Sequence, residues 1–529
     1  MTGEKKKKRG LYILLPAIPA VGLIAFLLWH GQVGHETGKT EKKDTLTWYV
    51  DYSWFNGNYP DSLVYKEIEK RTGVRILFET PTESNDSTLN SMISSRDLPD
   101  LVTVAPNTEE YSRLLSEKRL FPLNTLADLY DTAFYDVTDP DIRKYYTSGD
   151  DNIYGYPNAA YTPKDFSSHD NIASNVVFLV RKDIYEAIGS PDMTTQKGFH
   201  AAVRKAAETF PTVDGEPLIP IGGRPFLDTS SPSFDEYLQD FLAVPYEKDG
   251  QFYDRNTDPE YLSWLRLFRQ MNEEGLIAPD IFVNDQVEIN ENITKGRYFC
   301  MFYQRTDLVD QELARFVNDP DSVYIAIDGP KNSAGDPYVL PTNGMAGWTV
   351  TSVTRDCSNP KAAIRLMDFL MSEEGQKLCY LGVEGETYVM ENGKPVLKQE
   401  VRDMMRTDRM TYNSTICADY NFWMLMDLPV QLSMKQEAEA PIAQMEEWTY
   451  SYAAYTGYYD INLPENSRVG KNYLKLQVLW ADTLKQLMIA DSDSDFDRIL
   501  SDYMEKRQTF GYEEVLNEET RQIQANKQK

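Results

Sequence analysis

The sequence TLTWYVDYSWFNGNYPDSLVYKEIEKRTGVRILF, residues 45–78, predicts a strand, a helix and a second strand. Residues 45–50 are rich in β-branched and aromatic side chains, which are typical of a strand. Leu63, Val64 and Ile68 mark one face of a helix that stops at Gly73, and residues 74–78 form the next apolar run. Because a βαβ unit joins parallel strands, the stretch indicates an α/β fold.

The same alternation continues along the chain. A helical pattern around 89–93 leads into an apolar run at 101–104, and further apolar runs at 175–180 and 218–223 are separated by helical stretches. The folded part after residue 45 is longer than one hydrophobic core usually supports. We therefore expect two α/β lobes.

The loop that follows the first strand is the leading candidate site. In open α/β sheets, ligands bind beyond the carboxyl ends of the strands. Here that loop offers Asp51, Tyr52, Trp54 and Asn56. An aromatic ring can stack on the apolar face of a sugar, and carboxylate and amide groups can pair with its hydroxyls. The alternative is that Trp54 and its neighbour Phe55 only pack the loop.

Two further candidates follow later strands. Asn107 comes shortly after the run at 101–104, and Arg224 comes after the run at 218–223. By the same rule they are expected at strand ends, the first in the first lobe and the second in the other lobe.

Several kinds of chemistry lack their usual residues. The folded part contains only two histidines, His169 and His200, and no H-E-x-x-H, G-x-S-x-G, C-x-x-C or phosphate-binding G-x-x-x-x-G-K-[ST] motif. A glycosidase pair could be hidden among the 82 carboxylates, and spacing alone does not expose it. We predict no enzyme, no catalytic residue, no cofactor and no metal.

The net charge limits the classes of binding partner, and the cysteine content limits the disulfide bonds. A net charge of −28 repels phosphate backbones, so nucleic acid is not expected as a partner. The four cysteines are too sparse for a disulfide framework and are predicted to be buried thiols. They are Cys300, Cys357, Cys379 and Cys417.

The N-terminal region predicts a membrane anchor. Residues 1–10 are basic, residues 11–29 carry no charge over a length that nearly spans a bilayer, and residues 30–44 predict a flexible stalk. This pattern predicts a single-pass protein of the cell membrane with its body on the extracellular face. A cleaved signal peptide is the alternative, although its apolar core is usually shorter.

Nine short motifs resemble, in order, those of extracellular solute-binding proteins of ABC importers. The resemblance is to the carbohydrate-type family 1, in its branch of large Gram-positive lipoproteins, and it runs from about residue 45 to the C-terminal tail. The motifs are MISSRDLPDLV (92–102), FPL (121–123), IYGYP (153–157), VRKD (180–183), MNEEGLI (271–277), KGR (295–297), SEEGQ (372–376), GVEGETY (382–388) and NGKP (392–395).

The resemblance implies a periplasmic-binding-protein-like fold, with two α/β lobes, a hinge and a ligand cleft between them. It places the N-terminal lobe at 45–172 and 292–345, and the C-terminal lobe at 173–291 and 346–529. It also adds Trp348 as a residue beside the cleft, with hinge packing as the alternative, and Glu386 as a weaker ligand contact.

Two features depart from the family. Residues 211–216, PTVDGE, supply too few oxygen ligands for the calcium loop that many relatives carry at this place. No cysteine precedes Cys300, so a lipid anchor on a cysteine is absent from the sequence. We therefore predict no calcium there and attachment through residues 11–29.

The sequence thus predicts a tethered, monomeric receptor. It is expected to capture a carbohydrate or oligosaccharide and to pass it to the permease subunits of an ABC importer. The open alternatives are a peptide or other polar solute as ligand, a ligand-sensing subunit of a signalling system, and a glycosidase.

Overall fold

Two mixed sheets organise residues 44–83, 87–464 and 466–528, which are the residues that the computed structural model describes. The strands are β1 (Asp44–Val50), β2 (Val74–Glu79), β3 (Leu101–Val104), β4 (Tyr156–Pro157), β5 (Val176–Arg181), β6 (Thr212–Val213), β7 (Glu216–Pro217), β8 (Ile219–Gly222), β9 (Glu247–Lys248), β10 (Gln251–Phe252), β11 (Tyr298–Gln304), β12 (Tyr324–Ala326), β13 (Leu340–Thr342), β14 (Val350–Val353), β15 (Tyr388–Glu391), β16 (Lys394–Leu397) and β17 (Ala453–Tyr455).

Helices surround both sheets. They are α1 (Leu63–Thr72), α2 (Thr88–Ser95), α3 (Glu109–Ser116), α4 (Leu123–Tyr130), α5 (Phe134–Val137), α6 (Pro140–Tyr146), α7 (Pro163–Ser168), α8 (Lys182–Ala187), α9 (Gln196–Thr209), α10 (Leu238–Phe241), α11 (Pro259–Glu273), α12 (Gln286–Thr294), α13 (Val309–Asn318), α14 (Pro360–Met371), α15 (Glu373–Leu381), α16 (Gln399–Thr407), α17 (Arg409–Thr415), α18 (Leu428–Ser433), α19 (Ala440–Tyr450), α20 (Arg468–Met488), α21 (Asp493–Thr509) and α22 (Tyr512–Asn526).

The first sheet grows from the predicted βαβ unit. Its strand order is β2-β1-β3-β14-β4, with β1 parallel to β2 and β3, and β14 antiparallel to β3 and β4. Helix α1 buries Val64, Tyr65 and Ile68, and it ends at Gly73, whose φ of 74° is a left-handed conformation that suits glycine. The βαβ prediction is therefore confirmed.

The second sheet has the order β12-β5-β11-β8. Its central strand β11 runs parallel to β8 and antiparallel to β5, and β12 adds to the outer edge of β5. On β12, Ala326 exchanges hydrogen bonds of 2.9 and 2.8 Å with the side chain of Gln444, which covers this edge strand from α19. Such covering protects an exposed strand edge.

Each sheet has its own large hydrophobic core. The first core draws its buried residues from 46–160 and 345–434, and the second draws them from 176–340 and 480–503. The chain therefore passes between the sheets more than once.

The strand pairing contradicts the predicted lobe boundaries in two places. Residues 292–345 were assigned to the N-terminal lobe, but β11 and β12 pair in the second sheet with β5. Residues after 346 were assigned to the C-terminal lobe, but β14 pairs with β3, and the segment up to Met434 packs in the first core. The reason is that an apolar run predicts a buried strand but does not show which strand it pairs with.

Two other predictions concern local features. All four cysteines are buried and free, as predicted. Residues 212–217, where the resemblance would place a calcium loop, form the β6–β7 hairpin with Asp214 and Gly215 in its turn, both at positive φ. A two-residue turn of this kind is typical of a tight hairpin.

The predicted N-terminal segments lie almost wholly outside the described residues. The basic segment 1–10, the apolar segment 11–29 and the stalk 30–44 precede β1, apart from Asp44 itself. Within residues 44–83, 87–464 and 466–528, no helix has the length and apolar character needed to cross a membrane.

Candidate functional site

The loop after β1 turns the side chain of Trp54 outward and that of Phe55 inward. Phe55 is buried and packs edge-on against Phe78, with the ring centroids 5.2 Å apart. The loop closes tightly over this ring, since a Cβ atom on Gly57 would lie 2.2 Å from it. Trp54, by contrast, is 59% exposed. Phe55 therefore packs the loop, and the Trp54 ring faces outward.

Trp54 belongs to a cluster of four aromatic rings, which we call the tryptophan platform: Tyr52, Trp54, Trp348 and Trp423. The rings of Trp54 and Trp348 are 6.0 Å apart and within 8° of parallel, and Trp348 lies 4.6 Å from Trp423. Tyr52 contacts Trp348 at 5.3 Å. Trp348 is 41% exposed and Trp423 only 4%, so Trp423 supports the two outer rings from below.

The buried side chain of Asn158 holds two parts of the platform together. Its Oδ1 accepts a hydrogen bond from the backbone N–H of Thr349 at 2.8 Å, and its Nδ2 donates to the carbonyl of Trp423 at 2.9 Å. The N–H of Trp348 donates to the carbonyl of Asn158 at 3.3 Å. Because an amide can donate and accept at once, one asparagine links both tryptophan segments to the first sheet.

The chain turns at Gly347, just before Trp348, where its backbone lies close to that of Asn158. Gly347 has a φ of 67°, and a Cβ atom there would lie 2.2 Å from the carbonyl oxygen of Asn158. Only glycine fits this position without displacing the backbone.

Tyr52 keeps its proton under physiological conditions. Burial, and then the nearby charge of Asp51, raise the pKa of the Tyr52 phenol well above its usual value. The half-buried Asp51 is anchored by its backbone N–H, which donates to Thr103 on β3 at 3.0 Å. The phenol of Tyr52 is therefore available as a hydrogen-bond donor beside the tryptophan rings.

At the second sheet, Arg224 forms an ion pair. Its Nη1 lies 2.5 Å from Oδ2 of Asp307, and both side chains are partly exposed. Arg224 follows β8 and Asp307 follows the parallel strand β11, so the pair lies beyond the carboxyl ends of two neighbouring strands. Arg224 is thus at the expected edge, with a carboxylate already bound to it.

The remaining predicted contacts lie elsewhere on the surface. Asn56, Asn107 and Glu386 are exposed. Glu386 lies in the turn before β15, where its N–H donates to the carbonyl of Val383. Within the part of the chain that the structure describes, no hydrogen bond or ring contact joins these three side chains to the platform. Their role in binding stays a prediction.

Trp423 and Asn158 were missed from the sequence. Trp423 lies in a 3₁₀ segment, Asp419–Leu425, within an aromatic-rich region, but its sequence carries no strand-end signal. Asn158 follows β4 directly and could have been considered by the same strand-end rule that pointed to Trp54.

A family model matches residues 64–383, which is more than half of the chain, and it describes bacterial extracellular solute-binding proteins. Two characterised relatives are similar over part of their length. Lipoprotein LipO of Bacillus subtilis is 20% identical over 341 residues, covering 62% of this chain and 64% of LipO. The fructooligosaccharide ABC transporter substrate-binding protein FusA of Streptococcus pneumoniae is 24% identical over 336 residues, covering 60% of this chain and 59% of FusA. The match thus spans less than two thirds of either relative.

Solved structures share the fold over nearly the whole chain. FusA in complex with kestose superposes with a TM-score of 0.71 at 14% identity, covering 92% of this chain and 99% of that structure. The alginate-binding protein AlgQ2 without calcium ion gives a TM-score of 0.67 at 18% identity, with coverage of 92% and 99%. With the family model matching most of its length, this chain belongs to the bacterial extracellular solute-binding proteins.

Proposed function

We propose that this protein captures an oligosaccharide at the tryptophan platform and delivers it to an ABC permease. The observation that carries the proposal is the pair of nearly parallel, solvent-exposed rings of Trp54 and Trp348 beyond the carboxyl end of β1. Large aromatic rings that stay exposed in groups usually mark a binding surface.

The platform suits the chemistry of a sugar. A pyranose or furanose ring has an apolar C–H face that stacks on tryptophan, and its hydroxyls need hydrogen-bond partners. Asp51 can accept from these hydroxyls and the neutral phenol of Tyr52 can donate to them. Two adjacent outer rings offer two stacking positions, which favours a chain of sugars over a monosaccharide.

Relatives support the carbohydrate class and the importer. FusA is named a fructooligosaccharide ABC transporter substrate-binding protein and has been solved with kestose, and AlgQ2 is named an alginate-binding protein. At 14 to 24% identity, these relatives leave the particular sugar to experiment.

We further propose that the two sheets are the centres of two lobes that close around the ligand. The hydrophobic cores suggest one lobe of residues 44–160 and 345–434, and a second of 176–340 and 440–528. Arg224 and Asp307 would then meet the ligand from the second lobe. Closure needs contacts that form only in the closed state, and no covalent step is required.

Attachment through the N-terminal segment would make delivery efficient. A receptor held at the same membrane as its permease has a raised effective concentration there. We propose a monomer whose body lies on the extracellular face.

The test is isothermal titration with fructooligosaccharides, alginate oligosaccharides, N-glycan fragments and short peptides, each followed by chromatography of the recovered ligand. Binding of an intact glycan by the wild-type protein, together with weaker binding by Trp54→Ala, supports the proposal. Binding of peptides alone would favour the peptide receptor. Steady release of smaller sugars would instead identify a glycosidase.

A further inference from the structure

The chain passes three times between the parts of the protein that hold the two large cores. Residues 161–175 lead from the first core to the second, and residues 341–344 lead back. Residues 435–439 then lead from the first core to α19, whose Met445 is buried against the second sheet. We call these stretches the first, second and third crossing segments. In the two-lobe arrangement proposed above, they connect the lobes, so a movement of one lobe against the other passes through them.

Ser174 ties the first crossing segment to the second. Its side chain is buried, and its Oγ donates a hydrogen bond to the carbonyl oxygen of Pro341 at 2.7 Å. The backbone N–H of Val176 donates to the same Oγ at 3.1 Å, so the hydroxyl acts as donor and acceptor at once. The first two crossing segments are therefore bonded directly to each other.

Arg305 extends this link towards α19. It opens the 3₁₀ segment Arg305–Leu308 directly after β11, and its backbone N–H donates to the carbonyl of Asn175 at 2.9 Å. Its Nε donates to the carbonyl of Ser174 at 2.8 Å, and its Nη2 lies 3.8 Å from Oε1 of Glu446. Because a guanidinium group carries several donors in one plane, a single side chain joins the first crossing segment to a carboxylate on α19.

Glu446 completes the link to the third crossing segment. Its Oε2 lies 2.8 Å from Nζ of Lys435, whereas its Oε1 faces Arg305, so each carboxyl oxygen meets a different cation. Nζ of Lys435 also donates to the phenol oxygen of Tyr450 at 2.7 Å. A continuous chain of polar contacts thus runs from the second crossing segment through the first to the third.

The third crossing segment is also held to the first core. Oε1 of Gln436 accepts a hydrogen bond from the N–H of Leu397 at 2.9 Å, and its Nε2 donates to the carbonyl of Pro395 at 2.9 Å. Both partners lie on β16, and Leu397 is buried in the first core. The segment is therefore fixed to the first core at Gln436 and to α19 at Lys435.

Partial burial makes these charged contacts stronger than an ordinary surface ion pair. The side chains of Glu446 and Arg305 are only 13% and 16% exposed, and that of Lys435 is 27% exposed. Burial lowers the pKa of Lys435, but hydrogen bonds to Glu446 and Tyr450 raise that pKa overall, so the lysine stays charged. Attraction between charges grows as water is excluded, and removal of Glu446 would leave two partly buried cations without their shared carboxylate.

We propose that Ser174, Arg305, Glu446 and Lys435 form a hinge clamp, which makes the three crossing segments move as one unit when the lobes open and close. Glu446 is the positioning residue at its centre, because its removal breaks the contact between the first and third crossing segments. Arg305 lies two residues before Asp307, the proposed ligand contact of the second lobe. This role rests on the two-lobe arrangement of the proposed function.

Hydrogen exchange of the ligand-free protein, followed by mass spectrometry of its peptides, tests the hinge clamp. Glu446→Gln removes the charge and keeps the shape of the side chain. We expect amide exchange in all three crossing segments to become about tenfold faster, because local opening then costs less free energy. Exchange in β1 and β8, which lie within the sheets, should not change. Since no ligand is present, the result does not depend on whether the tryptophan platform binds a glycan.

Further variants make the test specific. Lys435→Met should also speed exchange in all three segments, and the double variant should be no faster than Glu446→Gln alone, since both changes break one chain of contacts. Glu373→Gln, which breaks an exposed pair with Lys377, is the matched control and should leave the rates unchanged.

Faster exchange that is confined to α19 and the third crossing segment would overturn the proposal, and so would wild-type rates in all three segments. If Glu446→Gln also speeds exchange in β1 and β8, it has loosened the whole fold, and the more exposed Lys435→Met then decides by the same criteria. Coupled exchange in a protein that binds no glycan would count only against the function proposed for the platform.

Discussion

Trp54 and Trp348 lie with their rings 6.0 Å apart and within 8° of parallel, although one follows the first strand of the fold and the other precedes β14. Both rings are exposed, whereas the Trp423 ring beneath them is buried. The proposed binding rings are therefore the exposed ones and the supporting ring is buried, so substitutions can test the two roles separately.

We predict that Trp54→Ala and Trp348→Ala each weaken oligosaccharide binding by about 2 kcal/mol, or roughly thirtyfold in Kd. The stability should hardly change, because each ring is already largely in water. Titration and thermal unfolding of the same samples measure both effects. Tyr130→Ala, which removes another exposed aromatic ring, is the matched control. Unchanged affinity in both tryptophan variants would move the site elsewhere.

We predict that Asn158→Ala lowers both stability and affinity. It leaves the buried N–H of Thr349 and the carbonyl of Trp423 without their partner, at a cost of about 3 kcal/mol in the free energy of unfolding. Denaturant unfolding measures the loss, and titration measures the weaker binding of glycan. Asn318→Ala, an exposed helix-end change, should stay within about 0.5 kcal/mol. Normal affinity in a destabilised Asn158→Ala protein would mean that the platform does not depend on this link.

We predict that Arg224→Ala lowers glycan affinity about tenfold with little loss of stability, because a partly exposed ion pair contributes little to folding. Titration of both proteins with the same glycan measures the change in Kd. Arg266→Ala, which breaks a surface pair with Asp497, is the control. An unchanged Kd would make the Arg224 pair structural and exclude it from the site.

We predict that Asp368→Asn stabilises the protein at high pH. Asp368 is buried, and neither of its carboxyl oxygens has a hydrogen-bond partner among the described residues. Burial, and then the charge of Asp131, raise its pKa to about 8. Since the folded pKa exceeds the unfolded one, the folded state binds the extra proton, and stability falls as the pH rises from about 4 to about 8.

The asparagine variant has no proton to lose at this position. Its free energy of unfolding should match that of the wild-type protein near pH 4 and exceed it by about 1 to 3 kcal/mol at pH 9. Its thermal midpoint should be higher at pH 9 for the same reason. Calorimetry across this pH range measures the difference. A gap that is independent of pH would show that the pKa of Asp368 is not raised by folding.

We predict that the full chain, expressed in a Gram-positive host, stays with the membrane fraction until detergent is added. The apolar segment 11–29 is long enough to hold it there. Fractionation followed by mass determination of the intact protein measures this. Recovery of the protein without detergent, with its N-terminus trimmed, would show that the segment is a cleaved signal peptide.

Local signals in the sequence predicted much of the first sheet and pointed to two members of the tryptophan platform. The period of the apolar residues and the stop at Gly73 predict α1 and its flanking strands, because these features depend on neighbours in the chain. The rule that ligands bind beyond strand ends then pointed to Tyr52 and Trp54, which the structure brings into one cluster with Trp348.

The sequence by itself determined the α/β class, the βαβ start, the four buried thiols and the family, since composition, periodicity and short motifs are local properties. Only the tertiary structure decided which sheet β11, β12 and β14 join, because a buried strand does not encode its partner. Only the tertiary structure, likewise, brought Trp423 against Trp54 and Trp348 and linked the segments of Trp423 and Thr349 through Asn158. These contacts join residues that are far apart in the chain, so their geometry follows from packing.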